Sequence, residues 1–159
     1  MVSSMKNKGK IILIVFCIFV SSSQLFSQRP NYMGTWVLNL EKSKIEADWA
    51  KGLTKGVFTI KQNGDNFTLA RYFIIGEKKR KLRFKMIADG KVHRKKIFFK
   101  GKLEWKDNNL QATIFRNGFL NIVNYKFGDN QNEFIADEVF TGKPQDYHNH
   151  WVFERYHSN

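Results

Sequence analysis

Near the C-terminus, the stretch DYHNHWVFERYH places His148 and His150 two residues apart, just after Asp146. Alternate residues of a strand share a face, so the two imidazoles form a candidate metal pair that needs a third ligand such as Asp146. No second cluster with metal-ligand spacing accompanies it, so neither a metal nor a cofactor is expected. Asp137-Glu138 is the only adjacent acidic pair. Neighbours on a strand point to opposite faces, so these carboxylates do not converge on one substrate atom. The chain has no Gly-x-Ser-x-Gly, no phosphate-cradling glycine loop and no His-Glu-x-x-His. No catalytic residue, and therefore no enzyme, is expected.

The second chemical feature is charge. Of 159 residues, 27 are Lys or Arg and 14 are Asp or Glu, a net charge of +13. Residues 77–102, which include KKRKLRFK and HRKKIFFK, hold twelve of the cations against only Glu77 and Asp89. Once Lys6, Lys8 and Lys10 are set aside, the remainder of the chain is neutral. Lys78, Lys79, Arg83, Lys85, Arg94, Lys95 and Lys96 are candidate anion-binding residues. Clustered cations recruit phosphates, sulfates and carboxylates, and also blunt sheet edges and aid solubility. For an exported protein the matching partners are acidic polysaccharide or an anionic lipid surface, and nucleic acid is not expected.

Export is expected from the N-terminus. Three lysines precede the apolar run Ile11–Val20, which leads into the small, polar stretch SSSQLFSQ. That is the layout of a signal peptide, and the run is too short for the roughly 20 apolar residues of a spanning helix. Cleavage after Ser27, with Ser23 as the alternative site, leaves a domain over 28–159, periplasmic or secreted. Cys17, the only cysteine, departs with the signal, so the mature domain holds no thiol or disulfide.

The elements that would position these groups are strands. Turn signals at QNGDN (62–66), ADGK (88–91), KDNN (106–109), RNG (116–118) and GDNQN (128–132) separate short runs rich in Phe, Ile, Val, Thr and Tyr. Strands are predicted near 34–40, 55–62, 66–75, 80–88, 91–99, 102–106, 109–116, 119–127, 133–141 and 149–156. Ile45, Trp49 and Leu53 recur every four residues, which predicts one short helix within 40–52, ended by Gly52. Phe67, Leu69, Arg71, Phe73 and Ile75 alternate along one face, as do Leu82, Phe84, Met86 and Ala88. The fold expected is all-β, a single antiparallel up-and-down barrel of 8–10 strands, because closure removes long sheet edges. A two-sheet sandwich is the alternative. A monomer is expected.

The start of the first strand, Gly34-Thr35-Trp36, resembles the Gly-x-Trp signature of the lipocalins and their calycin relatives. The longer phrase YMGTWVLNLEKSK (32–44), with Asp89-Gly90-Lys91 and the Trp105–Leu110 hairpin, is similar to small secreted bacterial lipocalin-like domains. Ten strands rather than eight also leave room for a fatty-acid-binding-protein-like barrel. The resemblance implies that Arg155, in WVFERY, packs over Trp36 at the closed end in a structural role. It also implies a small apolar or amphipathic ligand within the barrel. Phe67, Phe73, Phe84, Phe98, Phe115, Tyr125 and Phe140 are candidates to line that cavity, and Arg71 and Arg116 to meet a ligand carboxylate.

Overall fold

The computed structural model describes residues 29–96 and 99–157, without the side chains of Lys95 and Lys96. The predicted signal peptide lies outside the described residues. Among the described residues there are eleven strands: β1 (Gly34–Leu38), β2 (Lys44–Ile45), β3 (Leu53–Asn63), β4 (Asn66–Ile75), β5 (Lys78–Ile87), β6 (Val92–Lys96), β7 (Phe99–Lys106), β8 (Asn109–Arg116), β9 (Phe119–Phe127), β10 (Glu133–Gly142) and β11 (Tyr147–Arg155). Ten of them form one antiparallel sheet, ordered β5-β4-β3-β1-β11-β10-β9-β8-β7-β6, while the two-residue β2 pairs with β11. The chain is therefore a meander whose first and last long strands meet, Trp36 lying opposite Arg155.

Closure is incomplete. Strands β5 and β6 follow each other in the chain but stand at opposite ends of the sheet order. The Asp89-Gly90 turn is present, with Gly90 at φ 71°, yet Gly90 donates its N–H to Leu103 O at 3.0 Å and leads the chain toward β7. The cation-rich strands predicted at 80–88 and 91–99 are thus two unpaired sheet edges flanking a seam. By contrast, the β7–β8 connection is a tight turn, with Asp107 and Asn108 at φ 47° and 64° and Trp105 opposite Leu110.

The short helix expected after the first strand contracts to β2 and a single 3-10 turn at Asp48–Ala50, with no α-helix among the described residues. The reason is a competing acceptor. Asn149 Oδ1 takes the N–H groups of Glu46 (2.8 Å) and Ala47 (3.1 Å), and Ile45 pairs with Asn149 across the ladder. Strand β11 fixes this backbone in extended form before a helical turn can form, and Ala47 sits at φ −64°, ψ 122°.

The core is aromatic and concentrated toward the end where the chain enters β1. Tyr32, Trp36, Phe67 and Phe134 are each at most 2% exposed. Tyr32 stacks on Phe127 at 4.7 Å, Phe134 stacks on Phe153 at 4.8 Å, and Trp36 meets Phe134 edge-on at 4.9 Å. Rings at these separations fill the lumen at this end, while a groove of about 460 Å³ beside the β3–β4 turn is lined by Lys61, Asn63, Phe67, Thr68, Lys85 and Ile87.

Candidate functional site

The barrel's other end is not solid. A cavity of about 250 Å³ is lined by Trp49, Arg71, Phe73, Arg80, Lys81, Leu82, Asn121, Glu138 and Tyr147. Below it, Arg71, Phe73, Tyr125, Glu138 and Trp151 bound a void of about 20 Å³ that leads toward the filled end. Cross-strand register explains why these residues converge. Phe73 lies opposite Arg80, and Arg71 opposite Leu82, between β4 and β5. Glu138 lies opposite Val123 on β9 and Asn149 on β11. Directly opposed residues share a face, and here that face is the lumen.

Strand β5 opens the cavity on one side. Every residue from Lys78 to Arg83 is exposed, and Leu82, on the inward parity, is 43% exposed. With no strand beyond it, the upper half of β5 has nothing to bury its inner face against. Only lower down does the strand regain the core, where Met86 is 4% exposed.

The far wall is polar and built. Glu138 Oε1 accepts the amide of Asn121 at 2.8 Å, and Oε2 accepts Asn149 Nδ2 at 2.9 Å and Trp151 Nε1 at 2.8 Å. Trp49 closes the top, tilted against Phe73 (5.7 Å) and Trp151 (6.0 Å), and donates its indole N–H to the Tyr147 hydroxyl at 3.3 Å. Burial, with the nearby Glu138 charge adding to it, pushes the Tyr147 hydroxyl up from its ordinary value. Burial does the same more strongly at Tyr125. Both phenols therefore remain neutral across the physiological range. Arg71 lies over the Phe73 ring at 5.2 Å.

Of the sequence-derived candidates, Arg71, Phe73 and Tyr125 reach these walls. Phe84 faces inward below the cavity, opposite Leu69 and half-buried. Phe140 stands beside it, stacked on Tyr147 at 4.7 Å. Phe67 is in the core. Two candidates lie elsewhere. Phe115 lies opposite Leu120 and Lys100, on the parity that alternates with inward Ala112 and Ile114, and so points outward. Arg116 is exposed at the end of β8, away from the cavity. Phe98 lies outside the described residues.

The cations of 77–102 flank the seam. Lys78, Lys79, Arg83 and Lys85 are exposed on β5, Arg94 is exposed on β6, and Lys79 rests on the Tyr72 ring at 3.9 Å. Of the histidine pair, His150 is engaged elsewhere. His150 Nδ1 is 2.6 Å from Asp137 Oδ1, and Asp146 accepts the Gly142 N–H at 2.7 Å. Among the described residues no three His, Cys, Asp or Glu stand close enough to hold a metal ion.

At the closed end Arg155 lies over Trp36 at 4.2 Å and donates to Met33 O (3.0 Å) and Gln131 O (3.4 Å). The Trp36 indole donates to Tyr32 O at 3.0 Å. Gly34, at φ +145°, makes room for this: a Cβ there would stand 2.7 Å from Arg155 Nη1.

The fold is similar to that of solved fatty-acid- and lipid-binding barrels. The fatty-acid-binding protein 1 of Echinococcus granulosus superposes with a TM-score of 0.56 at 10% identity, over 79% of this chain and 98% of its own. Lipid binding protein 8 of Caenorhabditis elegans gives 0.53 at 14% identity, over 79% and 95%. The zebrafish ileal bile acid-binding protein, solved with cholic acid, gives 0.50 at 16% identity, over 79% and 98%. No protein-family model matches the chain, and a search of curated proteins finds no sequence match.

Proposed function

We propose that this protein binds a small apolar or amphipathic molecule at the open end of its barrel, as a non-enzymatic carrier. It acts in the periplasm or outside the cell once residues 1–27 are removed, as a monomer and without metal or cofactor. The observation that carries the reading is the cavity of about 250 Å³, which joins apolar Phe73, Leu82 and Trp49 to charged Arg71 and Glu138. Apolar walls with a few convergent polar groups are the usual form of a small-molecule site. The superposed proteins, by their names, bind fatty acid, lipid and bile acid, which supports the same class of ligand. A tail too long for the cavity has an exit along the seam, where β5 carries no further strand.

The test is native mass spectrometry of the mature protein after incubation with a lipid extract of its source. A discrete added mass, released on denaturation, is expected. A bare polypeptide mass overturns the reading.

A second reading is favoured by the two free sheet edges. Cations concentrated on β5 and β6 suit docking on acidic polysaccharide or anionic lipid, with the barrel interior uninvolved. Retention on heparin that collapses with added salt, and weakens when Lys78, Lys79, Lys95 and Lys96 become Gln, would support it. Retention indifferent to those substitutions would remove it.

A further inference from the structure

Glu138 is 3% exposed, and its three hydrogen-bond donors, Asn121, Asn149 and Trp151, are all neutral. No Lys, Arg or His among the described residues stands within ion-pair distance of it. An ionised carboxylate offers about four acceptor positions, so Oε1 retains one. Asn121 adds another acceptor. Its NH₂ is committed to Glu138, which fixes the amide orientation, and its buried Oδ1 has no hydrogen-bond partner among the described residues. The same cavity is lined by Arg71, Arg80 and Lys81, which can only donate. Apart from the neutral Tyr147 hydroxyl, which can donate as well as accept, one wall therefore lacks donors and the other lacks acceptors.

A plain carboxylate head satisfies one wall alone. It can pair with Arg71, but it brings a negative charge and two acceptor oxygens into a cavity that already holds Glu138 and Asn121 Oδ1. In a partly desolvated site that juxtaposition is costly, and it discriminates against the ligand as effectively as a clash. We infer that the open end is built for an amphiphile whose compact head carries an anion and a hydrogen-bond-donating cation together. Such a zwitterionic head sets its anion toward Arg71 and its ammonium toward Glu138 and Asn121, and lays its tail on Phe73, Leu82 and Trp49. The inference rests on the carrier reading, and narrows it to a ligand class.

The test is titration calorimetry of the mature protein at pH 7 with 2-aminodecanoate, decanoate and decylamine. These share a tail and differ in carrying both head groups, the anion alone or the cation alone. 2-Aminodecanoate is expected to bind roughly tenfold more tightly than either, the gain of one charge-assisted hydrogen bond. In Glu138→Gln the preference over decanoate should fall to within about threefold. Should that variant melt out, Asn121→Leu leaves the bonds of Glu138 to Asn149 and Trp151 intact and should narrow the preference in the same direction. Decanoate binding as tightly as 2-aminodecanoate overturns the inference and leaves the carrier reading standing. A preference that neither variant narrows overturns it too, as does a mass recovered from lipid extract whose head lacks a donor. If no probe binds and the extract yields no bound mass, both readings fall together.

Discussion

The two ends of this barrel each set an arginine against an aromatic ring, and put the pair to opposite uses. At the closed end the Arg155 guanidinium covers Trp36 and spends two of its donors on backbone carbonyls. Trp36 is fully buried, its indole N–H is paired, and the rings around it leave no space. At the open end Arg71 covers Phe73 but faces a cavity, across from an acceptor that no donor among the described residues meets. Where every donor and acceptor is matched, packing yields stability. Where capacity is left over beside a void, the surplus is available to a ligand. The contrast predicts that substitutions at the closed end are read in stability, and those at the open end in binding.

The largest effect tests the first half of that statement. Trp36→Ala empties the centre of the aromatic cluster and is expected to cost about 3–5 kcal/mol, measured by denaturant unfolding. A cost below about 1 kcal/mol would mean that the closed end is not what holds the barrel. Next comes the clasp. Arg155→Ala should cost about 1–2 kcal/mol through the lost ring contact and carbonyl bonds. Gly34→Ala should cost about 1–3 kcal/mol, since it forces a side chain into positive φ against the guanidinium. The double variant should cost less than the sum, because removing Arg155 relieves the steric part of the strain at Gly34 and leaves the positive φ. Strict additivity would show the two to be independent.

At the open end the expectation reverses. Arg71→Met keeps the length and apolar stem of the side chain, and should alter stability by no more than about 1 kcal/mol. The same variant should lose most of the mass taken up from lipid extract in native mass spectrometry. A destabilisation as large as that of Trp36→Ala would erase the distinction between the ends.

The closed end was the more legible in sequence, for physical reasons. Trp36 and Arg155 are individually conspicuous, and alternation from Phe67 to Ile75 declares a strand with one packed face. Two features depended on partners far away in the chain. Ile45, Trp49 and Leu53 have helical spacing, but the N–H groups that a helix would use are taken by Asn149, about a hundred residues later. The Asp89-Gly90 turn has the composition of any hairpin, and nothing local reveals that β5 and β6 fail to pair. Glu138 was within reach. Taken beside Asp137 it resembles a polar pair, whereas taken along its strand it alternates with Phe134, Ala136 and Phe140, a carboxylate in inward register. The same parity rule, applied to Ala112 and Ile114, turns Phe115 outward.

The smallest expected effect concerns acid, and again separates the ends. At the closed end Asp65 accepts the Trp105 indole N–H at 2.8 Å and pairs with Arg29. The indole bond, assisted by the Arg29 charge, holds its carboxyl below the ordinary 3.8. Toward the open end, Glu46 lies below its usual value of 4.5, chiefly because it accepts the His148 N–H. For each, the folded pKa lies under the unfolded one, so the unfolded chain binds more protons as acid is added. The stabilisation is present above the unfolded value and is lost as pH falls through the folded one, below about pH 4.5. Asp65→Asn should flatten the acid limb of a stability–pH curve by more than Glu46→Gln does. Trp105 is packed against Tyr32 and Phe67 and cannot turn its indole to another acceptor, whereas the His148 N–H is exposed and can pass to water. Equal flattening by the two would mean that Trp105 has freedom to repack, and that the closed end is less rigid than its filled interior implies.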